Sequence, residues 1–174
     1  VTYDGGSNQA GTLFEFDPVS EIFTKKIDFN PGDSGANAES GGNPQSSLIL
    51  APNNKLYGTA TLGGASSAGV IYEYDPATST FSKKVDFVNG QGNPSAPQGG
   101  LVVASNGKLY GIAYGGSHNE GTIYEYVPGA TSVAKKLDLK NPPTIGDFRG
   151  SLVESSNGKL YGTANYGGMS GLGL

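Results

Sequence analysis

Hydrophobic and polar residues alternate along this chain in short runs, and the runs return in the same order. In Thr122–Tyr126, an extended backbone puts Thr122, Tyr124 and Tyr126 on one face and Ile123, Glu125 and then Val127 on the other. Three similar runs surround it. Leu101–Ala104 predicts a strand a, with equivalents beginning at Leu48 and Leu152, and Lys108–Ala113 predicts a strand b. Thr122–Tyr126 is strand c. Val133–Leu139 predicts a strand d with Val133, Lys135, Leu137 and Leu139 on one face and Ala134, Lys136 and Asp138 on the other. Asn106-Gly107 between a and b suits a type I′ hairpin turn, which needs two positive φ angles. Pro18, Pro76 and Pro128 preset φ in the turn between c and d.

The four-strand pattern is a repeat. Lys55-Leu56-Tyr57-Gly58 returns at Lys108–Gly111 and Lys159–Gly162. Glycine pairs stand at Gly5-Gly6, Gly63-Gly64, Gly115-Gly116 and Gly167-Gly168, in steps of 58, 52 and 52 residues. The runs Gly11–Pro18, Gly69–Pro76 and Gly121–Pro128 match one another, as do Lys25–Phe29, Lys83–Phe87 and Lys135–Leu139. Antiparallel four-stranded units in tandem, apolar on both faces, fit blades of a β-propeller, where each sheet packs between two neighbours. The expected fold is therefore all-β: about three repeats in one repeat domain over 1–174. It divides into a half blade 1–29, a blade 47–87, a blade 100–139 and a half blade 151–174. The two half blades would complete a composite terminal blade, and three blades are fewer than the four to eight usual for a ring. The expectation is a partial propeller, or one completed by oligomerisation. The start at Val1 fits an excerpt of a longer protein or a processed chain.

Leu101–Gly116, Gly121–Tyr126 and the Lys-Lys-x-Asp-Phe runs resemble the GloVer-type tandem repeat of bacterial surface and secreted proteins, the choice-of-anchor repeat proteins. The paired glycines and later aromatics are loosely similar to kelch repeats. The resemblance implies a propeller fold and an extracellular or cell-envelope location in a bacterium. It implies no catalytic motif, and no anchor segment is recognisable in these residues.

Composition narrows the function classes. The net charge is −4 with a sequence pI of about 4.9, so the basic stripe that a nucleic-acid partner requires is lacking. No apolar run approaches membrane-spanning length, so membrane insertion is not expected. There is no cysteine and one histidine, which excludes disulfides, thiolate chemistry and a multi-histidine metal site within the chain.

Repetition also sorts the candidate residues. Glu15, Glu73 and Glu125 recur at one strand position, so cross-strand pairing with Lys25, Lys83 and Lys135 accounts for them better than acid–base catalysis does. Asp28, Asp86 and Asp138 belong with them, and Tyr57, Tyr110 and Tyr161 are expected between blades. The unique residues are better candidates for binding. His118 lies in the Gly115–Gly121 loop with Tyr114 and Asn119 beside it, and Arg149 stands where other units carry Gln45 and Gln98. Together they form the predicted ligand-binding set. The loop Asn30–Ser46, with Asp33, Asn37, Glu39 and Asn43, offers oxygen ligands suited to calcium, but its spacing is not that of a known calcium loop; no cofactor is otherwise expected.

The leading expectation is a non-enzymatic secreted or surface module that is structural or recognises a glycan or a surface protein. Two alternatives stand beside it. One is a self-assembling fibre or oligomer subunit, partnered by itself or by further blades of a longer chain. The other is a polysaccharide hydrolase or lyase with its site over the propeller axis.

Overall fold

A computed structural model describes residues 1–32, 40–117, 120–139, 145–146, 150–163 and 166–167. Its elements are all strands. The first unit holds β1 (Thr12–Asp17) and β2 (Ile22–Asp28). The second holds β3 (Ile49–Leu50), β4 (Leu56–Ala60), β5 (Val70–Asp75) and β6 (Thr80–Asp86). The third holds β7 (Pro94–Pro97), β8 (Val102–Val103), β9 (Leu109–Gly115), β10 (Thr122–Tyr126) and β11 (Ala134–Asp138). The last holds β12 (Ile145–Gly146), β13 (Val153–Glu154), β14 (Leu160–Tyr161) and β15 (Tyr166–Gly167). All pairing is antiparallel, in the order β3-β4-β5-β6 in the second unit and β7-β9-β10-β11 in the third, where β8 also pairs with β9. Among the described residues, no helix is long and apolar enough to cross a membrane.

In the second and third units the alternation places one face of the sheet on the unit before it and the other on the unit after. Tyr72, Tyr74 and Val70 pack with Leu13, Phe29 and Ala10 of the first unit. On the opposite face, Tyr57, Ile71 and Val85 meet Tyr124, Tyr126, Leu109 and Ala113 of the third. Ile112 of the third unit then packs with Leu139 and Leu152. Each fully buried aromatic removes on the order of 150–250 Å² from water, so these contacts between units constitute the core. The gradient along the tandem follows: Tyr57 is fully buried, whereas Tyr161, on the last described hairpin, is 49% exposed. The expectation that all three tyrosines pack between blades holds only where a following sheet covers them.

Three sequence expectations change in detail. The Asn-Gly turn is not type I′. Gly107 and Gly158 have positive φ, as does Asn54, but Asn106 and Asn157 do not. Gly107 N–H donates to Ala104 O at 2.9 Å, and Ala104 N–H donates to Lys108 O, which describes a three-residue loop closed by one left-handed residue. Asparagine serves another purpose. Asn106 Oδ1 accepts from Lys108 N–H at 3.0 Å while its amide donates to Tyr110 Oη at 2.9 Å, and Asn53 and Asn157 repeat both bonds.

Secondly, strand d does not alternate throughout. A register shift lets Lys25 and Lys26 oppose Phe14, Lys83 and Lys84 oppose Tyr72, and Lys135 and Lys136 oppose Tyr124. The expected ion pairs are therefore corrected. Glu15 pairs with Lys26 rather than Lys25, Glu73 with Lys84 and Lys55 rather than Lys83, and Glu125 with Lys136 and Lys108 rather than Lys135. Lys25, Lys83 and Lys135 instead reach Asp28, Asp86 and Asp138 at 2.7, 2.9 and 2.8 Å. Thirdly, β7 and β12 add pairing upstream of strand a. The prolines at both ends of β7 masked it in the sequence.

Candidate functional site

The loops from b to c and from d to the next a lie together, because β7 and β12 in the d–a connections pair with the far ends of strand b. Two devices hold this face. In the b–c loop, Gly69 N–H donates to Gly63 O and Ser67 N–H to Gly64 O, both at 3.0 Å, and Gly121 repeats the first bond to Gly115. An aspartate at the end of strand d then caps the loop from beneath. Asp28 accepts from Ser7 N–H and Oγ–H, Asp86 from Ala65 N–H, and Asp138 from Ser117 N–H and Oγ–H. The second glycine of each described pair is thereby explained. A Cβ on Gly64 would sit 2.6 Å from Asp86 Oδ1, and one on Gly116 2.7 Å from Asp138 Oδ1.

The hydrogen bonds from Lys135 and Ser117 push the Asp138 carboxyl down to about 2. Asp28 is also held low, first by Lys25. These aspartates are loop anchors. Asp138→Ala is expected to accelerate amide hydrogen exchange at Ser117 by about tenfold or more, with strand-core amides unchanged. Equal acceleration throughout the sheet would refute that local role.

Of the predicted ligand set, Tyr114 is at the end of β9 opposite Ser95 and is 53% exposed on this face. His118, Asn119 and Arg149 lie outside the described residues, as do Asp33, Asn37 and Glu39 of the calcium candidate. Asn43 is described, and its amide clamps Tyr3 O and Asp4 Oδ1, both at 3.4 Å. Among the described residues no group of three or more His, Cys, Asp or Glu could hold a metal.

The structure adds a site the sequence did not single out. Val1, Tyr3, Pro44, Gln45, Ser46 and Ser47 line a groove of about 420 Å³. Tyr3 is half exposed there, and none of the six lining residues is charged in its side chain. The groove adjoins the place where successive units converge. Ser46 Oγ and Thr59 Oγ1 are 3.2 Å apart, Thr59 Oγ1 donates to Gly99 O at 3.4 Å, and Gly100 N–H donates to Ser151 Oγ at 3.0 Å. Gly99 and Gly100 permit that approach, since a Cβ on Gly100 would lie 3.5 Å from Ser46 Cβ and nearer still to Ser151. Gln45 lies in the Pro-Gln step that recurs as Pro97-Gln98, and that recurrence was the available signal.

An amide, hydroxyls and a tyrosine ring can hydrogen-bond and stack, but they supply no general acid–base pair. The recurring glutamates are committed elsewhere. Glu73 is buried and accepts a hydrogen bond from the Tyr57 hydroxyl, with Lys55 and Lys84 beside it. Burial raises its pKa, but these partners outweigh burial and hold the carboxyl below its ordinary value.

The profile of the Gloeobacter/Verrucomicrobia repeat matches residues 1–174. The chain belongs to this family. No curated protein is significantly similar to this Gloeobacter/Verrucomicrobia repeat chain. Among solved structures, it is similar to the periplasmic gluconolactonase of Pseudomonas aeruginosa, with a TM-score of 0.57 at 17% identity. The match covers 91% of this chain and 44% of the gluconolactonase, so the repeat chain spans less than half of that protein's length. The likeness is one of fold: antiparallel four-stranded sheets that resemble part of its propeller, here without ring closure.

Proposed function

We propose that this protein is a non-enzymatic binding module of a bacterial surface or secreted propeller, with its ligand surface on the face shared by the b–c and d–a loops. The supporting observation is the groove at Tyr3 and Pro44–Ser47, whose neutral amide, hydroxyls and half-exposed tyrosine suit the hydroxyls and ring faces of a glycan. Neither a membrane nor a nucleic acid fits the acidic balance of the chain. Binding on a glycan array, combined with an assay for reducing-sugar release, tests the reading. Expected are glycan binding without turnover, and roughly tenfold weaker binding in Tyr3→Ala and Gln45→Ala, a loss of about 1.4 kcal/mol each. Turnover that disappears in His118→Ala would replace this reading with the hydrolase or lyase alternative.

A second reading, assembly with further blades or other copies, is favoured by the exposed apolar side chains of the first hairpin, where Phe16, Ile22 and Phe23 are each more than half exposed.

A further inference from the structure

We infer that a groove between the second and third units is a docking site for one aromatic side chain, Phe or Tyr, of a partner polypeptide. This goes beyond the glycan reading and concerns a different place in the fold. Phe87, Val88, Pro94 and Val133 give the groove a mainly apolar lining, Asp86, Asn93 and Ser132 stand beside them, and its volume is about 110 Å³. It lies where the chain leaving β6 meets the residues that lead into β11. Val88 is 52% exposed, so a partner can reach the groove from solvent.

The preceding junction shows what fits there. Phe81 and Val133 each stand two residues before the repeated Lys-Lys pair, so they hold one position of the repeat. Between the first and second units, three rings form a cluster. Phe29 meets Tyr72 at 5.0 Å, Tyr72 stacks on Phe81 at 5.4 Å, and Phe81 lies edge-on to Phe29 at 5.8 Å. Between the second and third units the first of these contacts is kept, since Phe87 meets Tyr124 at 5.1 Å. The third ring is absent, because Val133 stands where Phe81 stood. The first unit also carries a phenylalanine at this position, Phe23, which stacks on Phe14 at 4.8 Å. Ala130 and Val133 pack against the same cluster as Phe87 without closing the groove. The third unit thus lacks one phenyl ring from a space that its neighbours still frame.

Size and chemistry agree with that occupant. A closed apolar cavity of about 150 Å³ takes a single benzene ring, and this groove is of that order. Asp86 is already engaged by Lys83 at 2.9 Å and by Ala65 N–H at 3.2 Å, so the site does not call for a cation. A free ring in an open groove recovers little beyond the cost of its lost motion and binds at about millimolar concentration. A ring carried on a chain gains further contacts from its neighbours, as aromatic anchors in protein interfaces do. Asn93 and Ser132 are both exposed at the groove and offer an amide and a hydroxyl to the backbone of such a chain.

Two measurements on the full chain test the site. N-acetyl-phenylalanine amide, titrated into isotope-labelled protein, should give saturable shifts at the Val88 and Val133 amides, with N-acetyl-alanine amide about tenfold weaker or worse. Val133→Phe restores the missing ring, so it should weaken binding about tenfold while leaving the urea midpoint at or above that of the unmodified protein. Val88→Asp, at an exposed position, should weaken binding similarly without loss of folding. Glycan binding at the Tyr3 groove should be unchanged in both variants. Short random peptides selected on the protein should be enriched in Phe or Tyr, compete with the amide, and bind about tenfold tighter than it does. Shifts that do not saturate, or that survive both Val133→Phe and Val88→Asp, would overturn the ring site. Saturable binding of the amide with no peptide tighter than it would overturn the polypeptide as occupant and put a small aromatic compound in its place.

Discussion

Gly58→Ala and Gly111→Ala are each expected to destabilise the protein by about 3 kcal/mol, the upper end for adding one carbon to a filled core. These glycines end the repeated Lys-Leu-Tyr-Gly motif, and neither has a positive φ. Backbone conformation therefore does not demand glycine here. Space does. Gly58 is directly opposite Tyr72, and Gly111 opposite Tyr124, with each ring lying across the facing strand. A Cβ on Gly58 would lie 2.8 Å from Tyr72 Cε2 and closer to Cζ and Oη, while one on Gly111 would lie 2.6 Å from Tyr124 Cζ. Neither ring has room to swing away, since both are fully buried and packed against Phe29 and Phe87 respectively. Urea unfolding of each variant checks the cost, and a loss below about 1 kcal/mol would show that the close approach is not limiting. The companion change Tyr72→Phe should be nearly neutral. Its buried hydroxyl has no hydrogen-bond partner among the described residues, and Phe14 occupies the corresponding position of the first unit. Cost at the glycine and tolerance at the tyrosine together would assign the motif to ring packing rather than to hydrogen bonding.

Period and repetition were legible because they are local. The exact span of β10, the four-strand unit and the two-faced burial all follow from side chains alternating about an extended backbone. The ion pairs were legible in kind but not in partner. Nothing in Lys-Lys-x-Asp announces that both lysines oppose one residue, because a bulge is a property of the pair of strands and not of one strand. The aspartate beneath the glycine pair was hidden for a related reason, as Asp86 and Gly64 are 22 residues apart. Asn106 was recognisable as a turn residue, whereas its bond to Tyr110 appears only when the loop folds back over β9. The groove was missed because uniqueness was used as the guide to function. Gln45 repeats as Gln98, yet the groove formed where Tyr3 stands beside it.

Acid should unfold this protein steeply, because the same carboxylate arrangements recur along the tandem. Burial raises Glu73, but its Tyr57, Lys55 and Lys84 contacts lower it further, and Tyr110 and Lys108 are the main causes for Glu125. Asp28 is lowered first by Lys25, Asp17 first by Ser20, and Asp138 down to about 2 by Lys135 and Ser117. The direction is the same for all. Each folded carboxyl binds its proton less readily than the unfolded chain, whose values are near 3.8 for Asp and 4.5 for Glu. The stabilisation is thus complete above about pH 5, declines as the unfolded groups protonate, and is lost as the pH falls through the lowered folded values, which for Asp138 is about 2. The urea midpoint should be flat from about pH 8 to 5 and fall by on the order of half by pH 2.5. Glu73→Gln and Asp138→Asn should each lower the neutral-pH plateau and flatten part of the acid decline. Removing a carboxylate should cost less at pH 3 than at pH 7, because the wild type has by then lost much of the same contribution. A midpoint insensitive to pH, or a Glu73→Gln cost equal at both values, would mean that the Lys–Glu–Tyr junctions position the sheets without contributing charge-dependent stability.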